Sequence, residues 1–268
     1  KIFKSSGTSN NSLSKINIDR TTSLLQSRCL IKILQSILKK KKLEKIFIID
    51  SPNILRTNQL SARGAAINGF RQLANSYEFL LDENYDLDLS LLKQLTSEKD
   101  YMMFGFTNII WEFLINKLIN KKLKLPKNNG FLFHGGGWKK LENISISKKK
   151  YNNCINKFLG IKKIYNYYGM IEQTGSIFIE CEKGFYHPSI FSDINIRNKD
   201  LELCKLGEKG IIQVSSLLPL SYPGHNILTE DIGIMINYDG RKCGRKGKFF
   251  EVIGRIPKTE VRGCSDVY

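Results

Sequence analysis

The chain has 268 residues, of which 41% are hydrophobic and 25% are charged, as in a globular protein with room for one large domain or a main domain with a small satellite. No apolar run reaches the roughly 20 residues that a membrane-spanning helix needs, and no secretory signal is visible. We therefore expect a cytoplasmic protein without stable membrane insertion. Because the chain begins with Lys1 rather than Met, we also expect it to lack an N-terminal segment.

The net charge of +17 has two interpretations. A basic protein attracts polyanions such as nucleic acids. Here, however, the lysines are scattered along the chain, and the dense run Lys39–Lys42 ends a helical pattern, where cations suit the helix dipole. We therefore expect no nucleic-acid partner. A basic nucleic-acid-binding protein without ATP chemistry remains the alternative.

The six cysteines are spread widely over the sequence, at Cys29, Cys154, Cys181, Cys204, Cys243 and Cys264. Since none of them forms a CxxC pair, the spacing argues against a structural zinc site. We expect mostly reduced thiols, as in proteins of a reducing compartment.

Apolar periodicity predicts alternating helices and strands in the first two thirds of the chain. The predicted helices are about Thr21–Lys41, part of Ser61–Leu80, Leu87–Leu95, a helix capped by Thr107, and Lys148–Leu159, ended by Gly160. The predicted strands are Lys45–Asp50, Met102–Phe106, Phe131–Phe133 and Ile161–Tyr168. This alternation indicates an α/β fold with a mostly parallel sheet flanked by helices.

The pattern changes after about residue 176. Short β-type runs at Ile211–Leu217, Ile232–Ile236 and Phe249–Ile253 are separated by Gly, Pro and Asp turns. We therefore divide the chain into an α/β part, residues 1–176, and a strand-rich C-terminal part, residues 177–268.

The first candidate motif is the opening loop, which contains Ser5, Ser6, Gly7, Thr8 and Ser9 and runs on to Lys15. Its hydroxyls and its flexible glycine suit it to wrapping a phosphate. A flexible chain terminus is the alternative. The two common nucleotide fingerprints, GxxxxGK[ST] and GxGxxG, are both missing, so a phosphate loop here belongs to another class.

Two further motifs come directly after predicted strands. In the segment Tyr167–Gly175, an aromatic ring is able to stack on a base, and Glu172 is able to hold Mg²⁺ beside a triphosphate. The segment His134–Lys140 contains three glycines, which permit close approach to a flat ligand. The alternatives are a surface loop and a flexible turn.

The last two motifs are Thr229-Glu230-Asp231 and Gly254-Arg255. An aspartate accepts hydrogen bonds from both ribose hydroxyls, and an arginine reaches phosphate or ribose. Taken singly, each is equally compatible with a solvated loop.

Taken in order, these motifs resemble the motif set of the adenylate-forming (acyl-activating) enzymes. Within that superfamily the chain looks like an acyl-protein synthetase of the LuxE type. The narrower resemblance rests on His134–Lys140, Tyr168–Gly175 and Arg262-Gly263-Cys264, and it spans nearly the whole chain. It implies the large-domain fold of the superfamily, with both parts of the chain in one adenylation domain.

The resemblance also implies a role for each motif. The loop Ser5–Ser9, with Lys15 as a catalytic residue near its end, would close over the phosphates of ATP. Gly135, Gly136 and Gly137 would line the adenine side, and Tyr168, followed by Gly169, would stack on adenine. Asp231 would bind ribose and Arg255 ribose or phosphate. Glu172 would bind Mg²⁺.

The implied reaction is the ATP-dependent conversion of a carboxylic acid, in this family a long-chain fatty acid, to acyl-AMP. The acyl group would then pass to the thiol of Cys264 and on to an acyl-reductase partner protein. A phenylacetate-type acyl-CoA ligase is the nearest alternative. Two features depart from the superfamily. Ile171 stands where Thr or Ser is usual, and its hydrogen bond is expected either from Thr174 or not at all. The sequence ends at Tyr268, soon after Arg255, so we expect either the short LuxE type without a C-terminal lid or a C-terminal truncation.

Overall fold

The computed structural model describes residues 2–4, 15–56, 60–137, 146–239 and 243–256, with the backbone alone at 2–4, 15 and 60. The described chain forms two compact units. One consists of Leu34–Asn166, and the other of the residues up to Ile33 and from Tyr167 onward. The boundary predicted after residue 176 stays a prediction.

The strands follow one another through both units. They are β1 Ile2–Lys4, β2 Lys15–Asn17, β3 Leu43–Ile49, β4 Leu60–Ser61, β5 Ala74–Phe79, β6 Tyr101–Phe106, β7 Phe131–Gly135, β8 Lys163–Tyr168, β9 Phe178–Glu180, β10 Tyr186–His187, β11 Ser192–Arg197, β12 Lys209–Ser216, β13 Asn226–Asn237 and β14 Phe249–Arg255.

The helices lie in the first two thirds of the chain. They are α1 Arg20–Leu38, α2 Ala62–Phe70, α3 Leu89–Gln94, α4 Thr107–Ile109, α5 Asn116–Asn120 and α6 Lys148–Leu159. A π-helical stretch, Ile110–Ile115, joins α4 to α5. Helix α6 has the predicted bounds, with Ser147 as its N-cap and Gly160 as a left-handed C-cap at φ 70°. No helix in the described residues is long and apolar enough to cross a membrane.

The unit Leu34–Asn166 contains a parallel sheet in the order β5–β3–β6–β7. All six residues of β6 are buried, as expected for a central strand with both faces covered. Parallel strands joined by helices are what the alternating pattern predicted. The sheet directs the ends of β6 and β7 to one edge, where Thr107 and Gly136 are located.

The prediction that Ser61–Leu80 is helical in part agrees with α2, Ala62–Phe70. The same segment also contains the edge strand β5, Ala74–Phe79, which the periodicity missed because its conformation comes from backbone pairing with β3. Its polar residues at 75, 76 and 78 suit an exposed edge. Thr107 does not cap the following helix: it lies inside the first turn, and its hydroxyl bonds to the main chain at the end of β7 and just beyond it.

The other unit contains an antiparallel sheet, as the strand-rich pattern predicted. Strands β11, β12, β13, β14, β10 and β9 pair in that order, and β9 also pairs with the end of β8 at Tyr167 and Tyr168. One face of the sheet covers a core of Phe178, Ile194, Ile196, Cys204, Ile212, Val214, Met235 and Phe250. In the same unit β1 pairs with β2.

A buried ion pair lies beside the parallel sheet. The Arg63 Nε atom is 3.1 Å from the Asp50 Oδ2 atom, and both side chains are at most 2% exposed. Arg63 Nη2 also donates to the Tyr85 hydroxyl at 2.7 Å. Burial raises the pKa of the Asp50 carboxyl to about 6, although the Arg63 charge and the Ser51 N–H oppose the rise.

We expect Arg63→Met to destabilise the chain by about 3–5 kcal/mol at pH 8, since it leaves a buried carboxylate without its partner. The Arg63 charge lowers the Asp50 pKa, so in the variant that pKa lies above about 6 and protonation of Asp50 removes the cost as the pH falls from 8 towards about 6. The measurement is urea unfolding of both proteins from pH 8 to pH 5. The matched control is Arg56→Met, which breaks the exposed Arg56–Glu83 pair and should cost about 1 kcal/mol or less. A pH-independent loss in Arg63→Met would contradict the prediction.

Candidate functional site

The unit with the antiparallel sheet brings three predicted site residues together: Tyr168, Asp231 and Arg255. The Tyr168 hydroxyl donates a hydrogen bond to Asp231 Oδ2 at 2.7 Å. Arg255 Nε lies 3.6 Å from Asp231 Oδ1. The Asp231 side chain is 21% exposed and that of Arg255 is 34% exposed, so a solute is able to reach both.

Strand pairing places these groups. Asp231 in β13 stands opposite Arg255, the last residue of β14. The Asp231 N–H donates to Thr229 Oγ1 at 3.1 Å, and that hydroxyl donates to the Ile212 carbonyl at 2.8 Å. Thr229 therefore orients the backbone that carries Asp231. Neither charged residue lies in a solvated loop, the alternative that the sequence left open.

Burial controls the protonation of the pair. It raises the pKa of Tyr168 well above its ordinary value, and the neighbouring Asp231 charge adds to the rise. Tyr168 is thus a neutral hydrogen-bond donor at pH 7. Burial also raises the pKa of Asp231, while the Tyr168 hydrogen bond and the Arg255 charge oppose the rise.

Aromatic contacts hold the Tyr168 ring in place. Its centroid is 5.9 Å from that of Phe178 and 6.3 Å from those of Tyr186 and Phe250. The ring remains half-buried. A rigid, partly accessible aromatic surface beside a carboxylate is suited to a flat, hydroxylated ligand such as a nucleoside.

Glu172 lies in the short 3₁₀ turn Ile171–Gln173, a few residues after Tyr168. Gln173 anchors this turn, because its buried Nε2 atom donates to the Gly224 carbonyl at 2.8 Å. Gly175 has φ 89°, and a Cβ atom there would lie 2.6 Å from the Gln26 carbonyl oxygen. Close contacts therefore hold the turn at Gln173, its last residue, and just beyond it at Gly175.

The Glu172 carboxyl is half-buried, and burial raises its pKa. It lies close enough to Tyr222 to help raise the pKa of that phenol to about 12, although burial is the larger cause. The Tyr222 oxygen accepts a hydrogen bond from Gln26 Nε2 at 3.0 Å. No ion pair joins Glu172 to a lysine or arginine in the part of the chain that the structure describes.

Neither Ile171 nor Thr174 supplies the free hydroxyl that the superfamily usually has before the glutamate. The side chain of Ile171 is buried. The Thr174 hydroxyl donates to the Ile171 carbonyl at 2.9 Å. The proton of Thr174 is thus used within the turn, and this hydroxyl is not a ready substitute donor for a phosphate.

The glycine segment Gly135–Gly137 belongs to the other unit. Thr107 Oγ1 lies 3.1 Å from the Gly135 carbonyl and 2.9 Å from the Gly136 carbonyl and from His134 Nδ1. Gly136 has φ 75°, and nothing lies within 4 Å of a Cβ atom built on Gly137. This tethered turn ends in open space. Burial, with a smaller effect of Lys148, lowers the pKa of His134 to about 3, so its ring is neutral.

Of the remaining predicted site residues, the structure describes Gly169 and the backbone of Lys15 but not the others. Gly169 lies between Tyr168 and the Glu172 turn, and a Cβ atom there would be 3.2 Å from Ile177 Cγ2. Lys15 begins strand β2, with its backbone alone described. Ser5, Ser6, Gly7, Thr8, Ser9 and Cys264 lie outside the described residues, and their roles stay predictions.

Three supporting residues were missed in the sequence: Thr107 as a tether, Gln173 as an anchor and Tyr222 as the neighbour of Glu172. Gln173 comes directly after Glu172, but its three acceptors lie 41 to 52 residues further along the chain. In the sequence, the position of this glutamine directly after a candidate ligand residue was the local signal.

Comparison with solved structures shows the fold. The chain superposes on 2-hydroxyisobutyryl-CoA ligase, solved in an open conformation with 2-HIB-AMP and CoA, with a TM-score of 0.67 and 15% identity over 96% of this chain and 58% of that one. For O-succinylbenzoate coenzyme A synthetase (MenE) from Bacillus subtilis with AMP, the TM-score is 0.63 at 15% identity, over 95% and 49%.

The luciferase-like enzyme of the nonluminescent mealworm Zophobas morio gives a TM-score of 0.63 and 18% identity over 96% of this chain and 57% of that one. The chain thus spans about half to three fifths of the length of these structures. Their shared architecture confirms the predicted α/β fold of the adenylate-forming type, with a strand-rich final part.

A search of curated proteins found no match. A family model described as "Acyl-protein synthetase, LuxE" matches residues 1–268, the whole chain. This match confirms the resemblance that the ordered motifs indicated. The chain belongs to the LuxE family of acyl-protein synthetases.

Proposed function

We propose that the chain uses ATP to convert a carboxylic acid, a long-chain fatty acid, to acyl-AMP and then transfers the acyl group to a protein cysteine. The family match and the adenylate-forming fold support the first half of this reaction. The observation that carries the proposal is the hydrogen bond from Tyr168, at the end of β8, to Asp231, which stands beside Arg255 on the paired strands β13 and β14. Residues 1–176 and 177–268 would serve as two parts of one adenylation domain.

In this proposal Asp231 binds the ribose of ATP. Its Oδ2 atom already accepts from Tyr168, so Oδ1 and the remaining lone pairs serve the ribose hydroxyls. Arg255, which stands beside Oδ1, contacts ribose or phosphate. The Tyr168 ring stacks on adenine, with Gly169 beside the base. The segment Gly135–Gly137 keeps the role on the adenine side that the family resemblance implies.

Glu172 fits a role as a Mg²⁺ ligand. Its carboxylate is half-buried and has no cationic partner among the described side chains, so a divalent ion would compensate its charge. When bound, Mg²⁺ supplies neutralisation of the phosphate charge. The loop Ser5–Ser9 and Lys15 would close over the same phosphates.

The first step is an in-line displacement at the α-phosphate of ATP. A carboxylate oxygen of the acid forms the new P–O bond, the bond to pyrophosphate breaks, and acyl-AMP remains bound. Such a transfer depends on positioning and charge neutralisation more than on covalent help from the protein. The rigid turn that carries Glu172 and the paired strands that carry Asp231 suit that requirement.

The second step moves the acyl group to a thiolate. The sulfur of Cys264 attacks the acyl carbonyl carbon, a thioester forms, and AMP leaves. Arg262 stands two residues before Cys264, and a nearby cation favours the thiolate. An acyl-reductase partner in the cytoplasm would then receive the acyl group.

ATP–pyrophosphate exchange with a panel of carboxylic acids tests the first step. We expect exchange to depend on a long-chain fatty acid. Exchange with none of the acids would contradict the proposed activity.

In the same assay we expect Asp231→Asn to lower kcat/KM for ATP by about 10- to 100-fold, because hydrogen bonds to a charged group contribute about 1.5–3 kcal/mol. The matched control is Asp200→Asn, at an exposed turn, which should leave exchange unchanged. Equal kinetics for the two variants would contradict the ribose role of Asp231.

Radiolabelled fatty acid and ATP test the second step. We expect a hydroxylamine-labile label on wild-type protein and its loss in Cys264→Ala. The control is Cys154→Ala, which changes a half-buried cysteine of helix α6. Labelling of Cys264→Ala at the wild-type level would contradict this assignment. Acid-dependent formation of a CoA thioester without protein labelling would favour the acyl-CoA ligase alternative.

A further inference from the structure

A second cluster of reactive side chains lies in the antiparallel unit, apart from the candidate nucleotide site. It consists of Cys181, His187 and Cys243, and their candidate ligand atoms all lie within 4.8 Å of one another. The Cys243 Sγ atom is 3.3 Å from His187 Nε2. Cys181 and His187 are less than a tenth exposed, and Cys243 is half-buried. No disulfide joins any cysteine of the described residues.

The sheet builds this cluster from two distant parts of the chain. Cys181 comes directly after β9, and its N–H donates to the Phe185 carbonyl at 2.8 Å within the tight turn that leads to His187 in β10. Cys243 lies on the connection from β13 to β14, and β14 pairs with β10 through Phe250 and Tyr186. The adjacent strands therefore bring Cys243 to the β9–β10 turn, although 56 residues separate it from His187 in sequence.

The cluster faces away from Tyr168. The His187 ring packs on Phe249 with centroids 5.7 Å apart, whereas the preceding residue, Tyr186, packs on Phe250 at 5.7 Å and on Tyr168 at 6.3 Å. Successive residues of a strand point to opposite faces of the sheet. His187 and the Tyr168–Asp231 pair thus lie on opposite faces of the antiparallel sheet.

We propose that Cys181, His187 and Cys243 bind a zinc ion that fastens the β9–β10 turn to the β13–β14 connection. Zinc is bound by thiolate at about 2.3 Å and by imidazole nitrogen at about 2.0–2.1 Å, so tetrahedral ligands lie roughly 3.5 Å apart. The Cys243–His187 distance of 3.3 Å agrees with that spacing. The fourth position of the tetrahedron remains for a water molecule or a further donor.

The charges of the cluster suit this ion. Two thiolates and one neutral imidazole around Zn²⁺ carry no net charge, which favours a largely buried site. The His187 Nδ1 atom is buried and has no hydrogen-bond partner of ordinary geometry among the described residues, although the main chain of Lys248 lies near it.

The lack of a CxxC pair argued against a structural zinc site, but that criterion considers only cysteines close together in sequence. The proposal is also independent of the proposed function, because the ion would be structural and lies on the face opposite Tyr168. Its two chemical competitors are a Cys181–Cys243 disulfide and a metal-free cysteine–histidine pair.

The test is zinc binding by the reduced, chelator-treated full chain, titrated with Zn²⁺ against a chromophoric competitor. We expect one zinc ion per wild-type chain. Cys181→Ser, Cys243→Ser and His187→Gln should each bind at least about 100-fold more weakly, because even loss of an outer-shell partner of a ligand costs 10- to 100-fold. The matched control is Cys204→Ser, a buried cysteine of the same unit, which should bind zinc as the wild type does.

Two further measurements keep the test decisive if a variant folds poorly. With Co²⁺ in place of zinc, wild-type protein should show thiolate-to-metal charge-transfer absorption, and zinc should raise its melting temperature. An overturning result would be a wild-type chain that binds no zinc, binding that is equal in Cys243→Ser and wild type, or a Cys181–Cys243 disulfide that persists when zinc is present. None of these measurements depends on acyl activation, so failure of the zinc proposal and failure of the proposed function are distinguishable.

Discussion

Strands β13 and β14 pair so that Asp231 stands opposite Arg255, and this register brings the carboxylate within 3.6 Å of the guanidinium. A slip by one residue would turn each side chain to the other face of the sheet. Two register shifts interrupt the ladder further along, beside Gly233 and Asn237, so the pairing near Asp231 is specified locally. The Tyr168 hydroxyl, at the end of β8, also donates a 2.7 Å hydrogen bond to Asp231, so residues of three strands meet at this carboxylate.

The candidate site therefore rests on paired backbone for Asp231 and Arg255, and on an anchored turn for Glu172. Gln173 fastens that turn by inserting its amide among main-chain carbonyls, and Gly175 lets it approach Gln26 closely. Such supports hold a binding group in place without the cost of ordering it when a ligand arrives. Burial raises the pKa of the Glu172 and Asp231 carboxyl groups because it disfavours their charged forms. A cationic or hydrogen-bonding ligand would stabilise the charged forms and lower both pKa values again.

The predictable features are those that depend on neighbours along the chain. The apolar periodicity and Gly160 predicted the bounds of helix α6 correctly, because amphipathicity and capping depend on residues close together in sequence. Strand β5 was missed because its conformation comes from pairing with β3. In the site, motif order was enough to associate Tyr168, Asp231 and Arg255. It could not reveal that Gln173 bonds to Gly224 or that Cys243 meets His187, contacts that span 51 and 56 residues.

Phe249 and Phe250 serve different faces of the sheet because side chains alternate along a strand. The first touches the ring of His187 and the second touches Tyr186 and Tyr168, although one peptide bond separates them. A mutation that changes the packing on one face of the sheet therefore need not change the packing on the other face. Substitutions in the cysteine–histidine cluster and substitutions beside Tyr168 are therefore able to accumulate independently during evolution, although Phe249 and Phe250 are adjacent in sequence.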